Sequence, residues 1–353
     1  MFKVIDYEKI DKNNMSKTFA LIDVRSPSEY KAYTIPSAIN IPIFTDDERE
    51  IVGTTYVQDS VEKAKRLGIE IASEKLPDIY DKFNSLSKQY ESIILFCAKG
   101  GFRSTSLVSL FATLGMNVYK LDGGYKKYRK YINNALPNAC KGIKFVVLYG
   151  NTGTGKTDIL KALKEEGMDV LDLEGCANHR GSFFGSIGLG EQNTQKMFES
   201  LLYESIKNRK SNIIFTEGES KRIGNDIIPD YIFNLMKSGI HIKIHADIET
   251  RVNNILKDYV HDTDDELLKA LKPLRKYLGN KNIDRYIEMV KKSKYEIIIE
   301  ELMTKYYDPL YENKTKTYCA TFYNKDSRKT AKEIIKWMKS SIINDSVIKL
   351  HYH

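Results

Sequence analysis

Short runs of apolar residues alternate with amphipathic stretches along the first third of this chain. The runs predict buried strands at residues 19–23, 38–41, 92–96 and 117–121. Helical spacing of apolar positions predicts helices near residues 27–31, 57–67, 76–90 and 103–114. Strands that alternate with helices indicate a parallel sheet with helices on its faces, so the pattern predicts an α/β domain over residues 1–134.

The alternation starts again at residue 144 and predicts a second α/β domain over residues 144–353. Its predicted strands cover residues 144–149, 169–173, 212–216, 240–245 and 317–321. Predicted helices begin near residue 156 and cover about 327–340, and a long segment at about 248–308 is helical in pattern and mixed in charge. The second domain is therefore predicted to carry a helical insertion.

A basic segment separates the two patterns. Its cations have no acidic residue between them and are Lys126, Lys127, Arg129, Lys130, Lys141 and Lys144. Pro137 and Gly142 mark a break, which places a basic linker at residues 135–143. Tyrosines lie between the first cations, so the segment either contacts nucleic-acid phosphates, with the tyrosines stacking on bases, or is an ordinary solvated face.

Charge and cysteine content narrow the class of protein. Lysine and arginine exceed aspartate and glutamate by 55 − 47 = 8, which permits a polyanionic partner. No apolar run approaches the roughly 20 residues of a membrane span, and the N-terminal residues lack the apolar core of a secretory signal. The four cysteines show no CxxC spacing, which argues against a zinc site or a disulfide framework. We expect a cytoplasmic protein with no membrane partner.

A reactive thiol is predicted at Cys97, where a buried strand ends. The loop Cys97-Ala98-Lys99-Gly100-Gly101-Phe102-Arg103-Ser104 then enters a helix. Backbone amides of such a loop and the helix N-terminus attract negative charge and stabilise a thiolate. Gly100 and Gly101 give the loop its backbone freedom, and Arg103 can bind an oxyanion through two hydrogen bonds. An isolated cysteine at a strand end is usually a core residue, but these neighbours favour a nucleophile.

The first domain resembles the rhodanese family over about residues 4–134. The matching pieces are the cysteine loop and residues 23–25 (DVR), 29–30 (EY), 35–42 (IPSAINIP) and 121–125 (LDGGY). Asp23 and Arg25 are expected to form a structural ion pair. Five residues separate Cys97 from Arg103, one more than in many simple rhodaneses, and this spacing resembles that of the dual-specificity phosphatases that share the fold. We therefore expect a wider cradle and a phosphate-like donor with which simple oxyanions compete.

A phosphate-binding loop is predicted at Gly150-Asn151-Thr152-Gly153-Thr154-Gly155-Lys156-Thr157, between a predicted strand and a predicted helix. This is the P-loop spacing, in which backbone amides surround the phosphates, Lys156 reaches the terminal ones and the Thr157 hydroxyl ligates Mg²⁺. Glu217 or Asp172, each near the end of a predicted strand, either holds that ion through water or lies in solvent. The pattern indicates a phosphorylated ligand without showing that it is ATP.

Four further motifs make nearly the whole chain similar to the tRNA 2-selenouridine synthase family. They are residues 173–185 (LEGCANHRGSFFG), 192–199 (QNTQKMFE), 217–224 (EGESKRIG) and 306–311 (YYDPLY). The chain departs from the family pattern at Ala98-Lys99, where an aromatic residue and arginine are expected, at Gly218, where aspartate is expected, and at Lys221, where arginine is expected. The missing carboxylate at position 218 leaves Glu217 and Glu219 as the candidates for a metal or base role.

The resemblance implies a rhodanese-like parallel-sheet domain followed by a P-loop NTPase-like α/β domain with a helical insertion. It also implies an enzyme that replaces the sulfur of wobble 2-thiouridine with selenium from selenophosphate, in tRNAs of the Lys, Glu and Gln type. The family is further linked to S-geranylation with geranyl diphosphate. Geranylation turns the sulfur into a good leaving group, which selenium then displaces.

The candidate site residues follow from the two loops and from this resemblance. For selenium handling they are Cys97, Arg103, Gly100 and Gly101, and for the diphosphate they are Gly150, Gly153, Gly155, Lys156 and Thr157. Substrate-binding candidates are His179, Arg180, Glu217, Glu219 and Tyr307, and tRNA-binding candidates are Lys126, Lys127, Arg129 and Lys130. Mg²⁺ at the P-loop is the one metal under consideration, and no other cofactor is predicted.

Two other classes of function remain open at this point. One is a rhodanese-fold sulfurtransferase or phosphatase fused to an ATP-dependent kinase-like domain, which would turn over thiosulfate or phosphoesters without tRNA. The other is a non-enzymatic RNA-binding adaptor in which both loops only sense anions. Full cellular activity after Cys97→Ser would favour the adaptor.

Overall fold

The computed structural model describes residues 2–12, 18–181, 185–259, 264–309 and 317–343. The chain divides into two compact units. The first is Met1–Asn138 with Glu199–Tyr203, and the second is Ala139–Phe198 with Glu204–His353. The division falls inside the stretch 135–143 that the sequence predicts as a linker.

The first unit contains one five-stranded sheet in which all strands are parallel. Its strands are β1 (Lys3–Ile5), β2 (Phe19–Asp23), β3 (Ile39–Asn40), β4 (Ser92–Phe96) and β5 (Val118–Leu121). They lie in the order β1-β5-β4-β2-β3. All five residues of β4 are buried, as is typical of a central strand covered by helices on both faces. The parallel α/β architecture predicted from the sequence is confirmed.

Six helices cover this sheet in the described part of the first unit. They are α1 (Tyr7–Asp11), α2 (Pro27–Ala32), α3 (Asp46–Gln58), α4 (Val61–Gln89), α5 (Phe102–Thr113) and α6 (Gly124–Ala139). The long α4 replaces the two separate helices predicted at 57–67 and 76–90. Gly68 interrupts the predicted pattern, but the missing side chain lets α4 approach Phe44 and Val52, so tertiary packing outweighs low helix propensity.

The second unit contains a five-stranded parallel sheet and a short antiparallel pair. Its strands are β6 (Lys144–Tyr149), β7 (Val170–Leu171), β8 (Ile213–Glu217), β9 (Arg222–Ile223), β10 (Asp226–Ile227), β11 (Ile240–His245) and β12 (Ala320–Tyr323). The sheet order is β12-β11-β6-β8-β7, and β9 pairs with β10. Leu148 of β6 pairs with Glu217 of β8, so the carboxyl end of β8 lies beside the loop that follows β6. Ligands of open parallel sheets bind at this edge.

The helices of the second unit include the helical segment that the sequence predicts. They are α7 (Lys156–Glu165), α8 (Leu173–Ala177), α9 (Gln195–Lys207), α10 (Asp230–Lys237), α11 (Ile248–Tyr259), α12 (Asp264–Leu271), α13 (Arg275–Leu278), α14 (Asn280–Val290), α15 (Tyr295–Leu302) and α16 (Ser327–Ile343). A 3₁₀ turn at Lys272–Leu274 precedes α13, and a π-helix at Met303–Tyr307 follows α15. The segment from α12 to the π-helix buries an apolar cluster of its own, which includes Ile283, Tyr286 and Ile298.

Among the described residues, every helix is too short or too polar to span a bilayer.

Candidate functional site

The predicted nucleophile lies at the bottom of a loop between β4 and α5. Cys97 directly follows β4, and its side chain is buried. The hydroxyl of Ser104, on the first turn of α5, lies 3.2 Å from the Cys97 sulfur and donates to it. The structure thus places the thiol at the strand end expected from the sequence, and its role as a nucleophile stays a prediction.

The carbonyl groups of this cysteine loop are bound from the side of α6. The backbone N–H of Tyr125 donates to the Cys97 carbonyl at 2.9 Å, and that of Lys126 donates to the Ala98 carbonyl at 2.9 Å. Lys120 Nζ donates to the Gly100 carbonyl at 3.3 Å. In a trans peptide the N–H points opposite to the C=O, so these contacts direct the loop amides away from α6. Loop amides that are free to converge on one side are the feature of anion-binding concavities, which is the role predicted for this loop.

Gly124 allows α6 to approach the cysteine loop this closely. Its φ is +57°, and a Cβ atom there would lie 2.2 Å from the carbonyl oxygen of Cys97. Any side chain at this position would displace the loop. The motif at 121–125 thus supports the nucleophile, a contact that its sequence alone did not predict.

Arg103 is held by a carboxylate rather than directed freely to a ligand. Its two terminal nitrogens donate to the Glu29 carboxylate at 2.5 and 3.2 Å. Burial of Glu29 opposes ionisation, but the ion pair with Arg103 outweighs it and holds the pKa of Glu29 below its ordinary value. Glu29 also accepts from the backbone N–H of Ser26 at the start of α2. The guanidinium is therefore fixed at the loop, with two of its donors already used.

The four predicted tRNA-binding cations lie on α6 in different environments. Lys126 and Lys130 are exposed. Lys127 pairs with Asp122 at 2.6 Å and also with Asp6. Arg129 pairs with Glu199, which falls in the same unit. The exposed positive charge of this stretch is thus smaller than its sequence indicates.

The tyrosines of α6 were expected to stack on bases, and two of them are core residues instead. Tyr125 and Tyr128 are 5% and 1% exposed. Tyr125 stacks on Tyr33 with ring centroids 4.8 Å apart. The buried positions 125, 128, 132 and 136 follow helical spacing, and that periodicity was the signal for a core-facing stripe.

The phosphate loop of the second unit connects β6 to α7 as predicted. Gly155, with φ of +82°, precedes the first residue of α7, Lys156. Lys156 Nζ lies 2.9 Å from the Gly150 carbonyl and donates to it. Beside the loop is a cavity of about 270 Å³. Its wall includes six of the candidate site residues predicted from the sequence, namely Gly153, Gly155, Lys156, Thr157, Arg180 and Glu219.

The carbonyl groups of the phosphate loop, like those of the cysteine loop, accept hydrogen bonds from residues outside the loop. Side-chain nitrogens donate to three successive carbonyls: Arg251 to Thr152 at 2.9 Å, Asn254 to Gly153 at 2.9 Å and Asn324 to Thr154 at 2.8 Å. By the same peptide geometry, the loop amides point to the other side. Sequence reasoning missed these three residues. The spacing of Arg251 and Asn254, which shares one face of α11, was the available signal.

Three glutamates gather at the phosphate loop. Glu174 and Glu219 line the cavity, while Glu217 is buried behind it. Thr157 Oγ1 donates to Glu174 Oε2 at 3.1 Å, and the backbone N–H of Glu174 donates to Glu217 Oε1 at 2.7 Å. Within the described part of the chain, Glu217 Oε2 has no hydrogen-bond partner.

Burial raises the pKa of each of these three carboxyl groups above its ordinary value, and repulsion between carboxylates adds to this effect at Glu174 and Glu217. Burial and the nearby Glu219 raise the pKa of Glu174 to about 7. Burial, with the charges of Asp172 and Glu174, raises the pKa of Glu217 well above its ordinary value. Burial also raises the pKa of Glu219, and the charge of Lys156 opposes this effect. Glu174 therefore changes charge near neutral pH.

The donor set at this loop suits a cation that arrives with a phosphate. The described residues contain no group of three or more His, Cys, Asp or Glu arranged to hold a metal ion. Thr157 and Glu174 nevertheless supply hard oxygen atoms at the edge of the cavity. Mg²⁺ prefers such ligands together with phosphate oxygens and water. The residues therefore fit Mg²⁺ bound jointly with a phosphorylated ligand.

Arg180 lines the cavity, whereas His179 and Tyr307 are not among the described residues that line it. Burial lowers the pKa of His179, whose Nδ1 accepts from the backbone N–H of Gly181 at 3.2 Å. Arg180 also donates to the Ile187 carbonyl at 2.7 Å. Tyr307 is 7% exposed and packs in the apolar cluster of the helical segment.

Gly218, where the family pattern led us to expect aspartate, has a packing explanation. A Cβ atom at this position would lie 2.3 Å from the ring of Tyr149. The ring of Tyr149 fills the space that a side chain at 218 would need. A carboxylate side chain at position 218 is therefore sterically excluded in this chain.

Comparison with known proteins covers both units. The rhodanese-like domain model matches residues 6–131, and the model of the tRNA 2-selenouridine synthase AAA domain matches residues 143–343. The tRNA 2-selenouridine synthase of Hydrogenovibrio crunogenus is 32% identical over 341 residues, which cover 87% of this chain and 91% of that protein. The enzymes of the same name from Nitrosomonas eutropha and Shewanella denitrificans are 29% and 32% identical, covering 86% and 83% of this chain and 91% and 87% of theirs. With this identity spread across both units, the chain belongs to the tRNA 2-selenouridine synthase family.

Proposed function

We propose that this protein converts wobble 2-thiouridine in tRNA to 2-selenouridine through an S-geranyl intermediate. The supporting observation is that one chain carries two loops whose carbonyl groups accept hydrogen bonds from residues outside the loop, and that one of these loops begins at a thiol. Its relatives bear the name tRNA 2-selenouridine synthase. The substrates proposed are tRNAs of the Lys, Glu and Gln type, geranyl diphosphate and selenophosphate, and the proposed compartment is the cytoplasm.

In the first half-reaction the phosphate loop binds the diphosphate of geranyl diphosphate. The sulfur of 2-thiouridine attacks C1 of the geranyl group, a C–S bond forms and the C–O bond breaks. The electron pair of that C–O bond leaves on the diphosphate, and the proton on N3 of the base is lost. Lys156 and the loop amides stabilise the charge that accumulates on the departing diphosphate.

Mg²⁺ fits this half-reaction as a cation bound to the diphosphate. Thr157 and Glu174 would hold it, because both side chains supply oxygen atoms at the cavity edge. When bound, the ion would add positive charge at the leaving group.

In the second half-reaction the cysteine loop cleaves selenophosphate. Selenium in selenophosphate is already electron-rich, so a thiolate attacks phosphorus rather than selenium. The Cys97 sulfur forms a bond to phosphorus, the P–Se bond breaks and selenide leaves with the electron pair. Water then hydrolyses the S–P bond, and the hydroxyl of Ser104 stabilises the returning thiolate.

Selenide completes the exchange at C2 of the geranylated base. A C2–Se bond forms, the C2–S bond breaks, and the sulfur leaves as geranylthiol after taking up a proton. Incubation of thiolated tRNA with the protein and both co-substrates, followed by nucleoside mass spectrometry, tests the proposal. Formation of 2-selenouridine supports it, and unchanged 2-thiouridine in the presence of active co-substrates rejects it.

A further inference from the structure

A buried ion pair connects the helical segment to the phosphate loop. The guanidinium of Arg251, on α11, donates to both carboxylate oxygens of Asp308 at 2.9 and 2.7 Å. Arg251 is only 6% exposed. A two-point arginine–carboxylate pair fixes both side chains in orientation as well as in distance.

Both members of this pair also contact the phosphate loop, at neighbouring positions. Arg251 Nε donates to the carbonyl of Thr152, and the side-chain amide of Asn151 donates to Asp308 Oδ1 at 3.0 Å. The main chain of Arg251 lies against Gly153, where a Cβ atom would come within 2.7 Å of the Arg251 carbonyl oxygen. The pair thus determines the position of three consecutive loop residues.

The helix geometry near Asp308 is unusual. Asp308 directly follows the π-helix Met303–Tyr307. Leu302, just before this helix, and Tyr307, its last residue, both pack in the apolar cluster. A π-turn adds one residue, and one residue corresponds to about 100° of rotation around a helix. Tyr307, the last residue of the π-helix, packs in the core, and the next residue, Asp308, pairs with Arg251. Such turns are rare and are frequent at functional sites.

We propose that Arg251 and Asp308 are positioning residues that hold the phosphate loop in its diphosphate-binding conformation. The inference rests on the proposed function, in which this loop binds the diphosphate. Neither Arg251 nor Asp308 is among the described residues that line the cavity, so the pair acts on a bound ligand through the loop. Without Asp308, the guanidinium has no carboxylate in this position and the Thr152 peptide is no longer fixed. The loop amides then converge less well on an anion.

Binding of inorganic pyrophosphate to the full-length protein tests this inference by calorimetry. Asp308→Asn should raise the dissociation constant for pyrophosphate at least about tenfold. Asp284→Asn is the matched control, because it breaks the exposed Arg275–Asp284 pair of the same helical segment without touching the loop. This control should bind pyrophosphate as the unmodified protein does. Asn151→Ala, which removes one contact to Asp308 and leaves the buried pair in place, should give a smaller loss.

Two kinetic readouts separate positioning from a general effect on folding. In Asp308→Asn, the KM for geranyl diphosphate should rise, while selenation of tRNA that is already geranylated should keep its rate. Unchanged pyrophosphate affinity in both Asp308→Asn and Asn151→Ala would overturn the inference. An equal loss of rate in both half-reactions, in proportion to the loss in Tm, would also overturn it. If the unmodified protein binds neither pyrophosphate nor geranyl diphosphate, the proposed function itself fails and this inference fails with it.

Discussion

The hydroxyl of Ser104 lies 3.2 Å from the sulfur of Cys97 and donates a hydrogen bond to it. Ser104 is fully buried, so this contact is not exchanged for water. Hydrogen bonds to a charged group contribute about 1.5–3 kcal/mol, more than those between neutral groups. In the proposed reaction, Ser104 therefore stabilises the Cys97 thiolate when it is regenerated.

Replacing Ser104 by alanine should slow selenation at least about tenfold, because the thiolate loses its donor. Alkylation of Cys97 by iodoacetamide should slow as well, whereas geranylation should not change. Ser106→Ala is the control on the same helix, since its hydroxyl is exposed and bonds to the Phe102 carbonyl. Equal alkylation rates in both variants would contradict the role given to Ser104.

The fate of phosphorus distinguishes the proposed chemistry at Cys97 from transfer of selenium to the cysteine. Selenophosphate labelled in phosphorus should leave label on Cys97 when the reaction is quenched early, and selenophosphate labelled in selenium should not. Cys97→Ser should trap no label and should not form 2-selenouridine, while its geranylation stays intact. Recovery of selenium on Cys97 without phosphorus would show that attack occurs at selenium instead.

The oxyanion preference of the cysteine loop gives a simpler test of the same site. The loop amides and Arg103 are the predicted ligands of a tetrahedral oxyanion, so phosphate should compete with selenophosphate. Glu29→Gln releases the guanidinium from its ion pair and should change the inhibition constant for phosphate, with geranylation unaffected. Selenation that is insensitive to high phosphate would contradict a phosphate-like donor site.

Lys156→Ala should lower geranylation about 100-fold or more, because the diphosphate loses its principal charged partner. Lys161→Ala is a suitable control, since Lys161 also lies at the cavity but is exposed and pairs with Asp158 on the same helix. The control should show a much smaller loss. Selenation of tRNA supplied in geranylated form should survive in both variants. Comparable losses of geranylation in the two variants would argue against the P-loop role of Lys156.

Glu217 should make stability depend on pH. Its pKa is higher in the folded protein than in the unfolded chain, so the folded state binds more protons between the two values. The free energy of unfolding contributed by this group is therefore greatest below its unfolded pKa and falls as the pH rises through that window. Glu217→Gln removes the charge and keeps an acceptor for the Glu174 N–H, so it should raise Tm at pH 8 more than at pH 5. Calorimetry that finds the same change at both pH values would contradict this.

The positions of the cysteine loop and the phosphate loop were predictable because their sequence signals are local. Cys97 lies between the buried strand β4 and α5, and Lys156 begins α7 directly after the loop that follows β6. The residues that shape these loops come from distant parts of the chain, as Glu29 does for Arg103 and Asn324 for Thr154. Folding alone brings them together, so spacing in one sequence does not reveal them.

Helix packing accounts for the other differences from the sequence-based expectations. Charge and aromatic content alone suggested that α6 is a nucleic-acid surface. The apolar stripe that contains Tyr125 and Tyr128 instead faces the core, and Lys127 is neutralised by acids from other elements. The exposed Lys126 and Lys130 stay as predicted tRNA contacts. Replacing both by alanine should reduce the salt dependence of tRNA binding.

An order-of-addition experiment tests the central claim most directly. Thiolated tRNA is incubated with the protein and geranyl diphosphate, freed of unreacted donor, and then given selenophosphate with fresh protein. The account predicts that mass spectrometry detects S-geranyl-2-thiouridine after the first step and 2-selenouridine after the second. Formation of 2-selenouridine at an equal rate from tRNA that was never geranylated would contradict it.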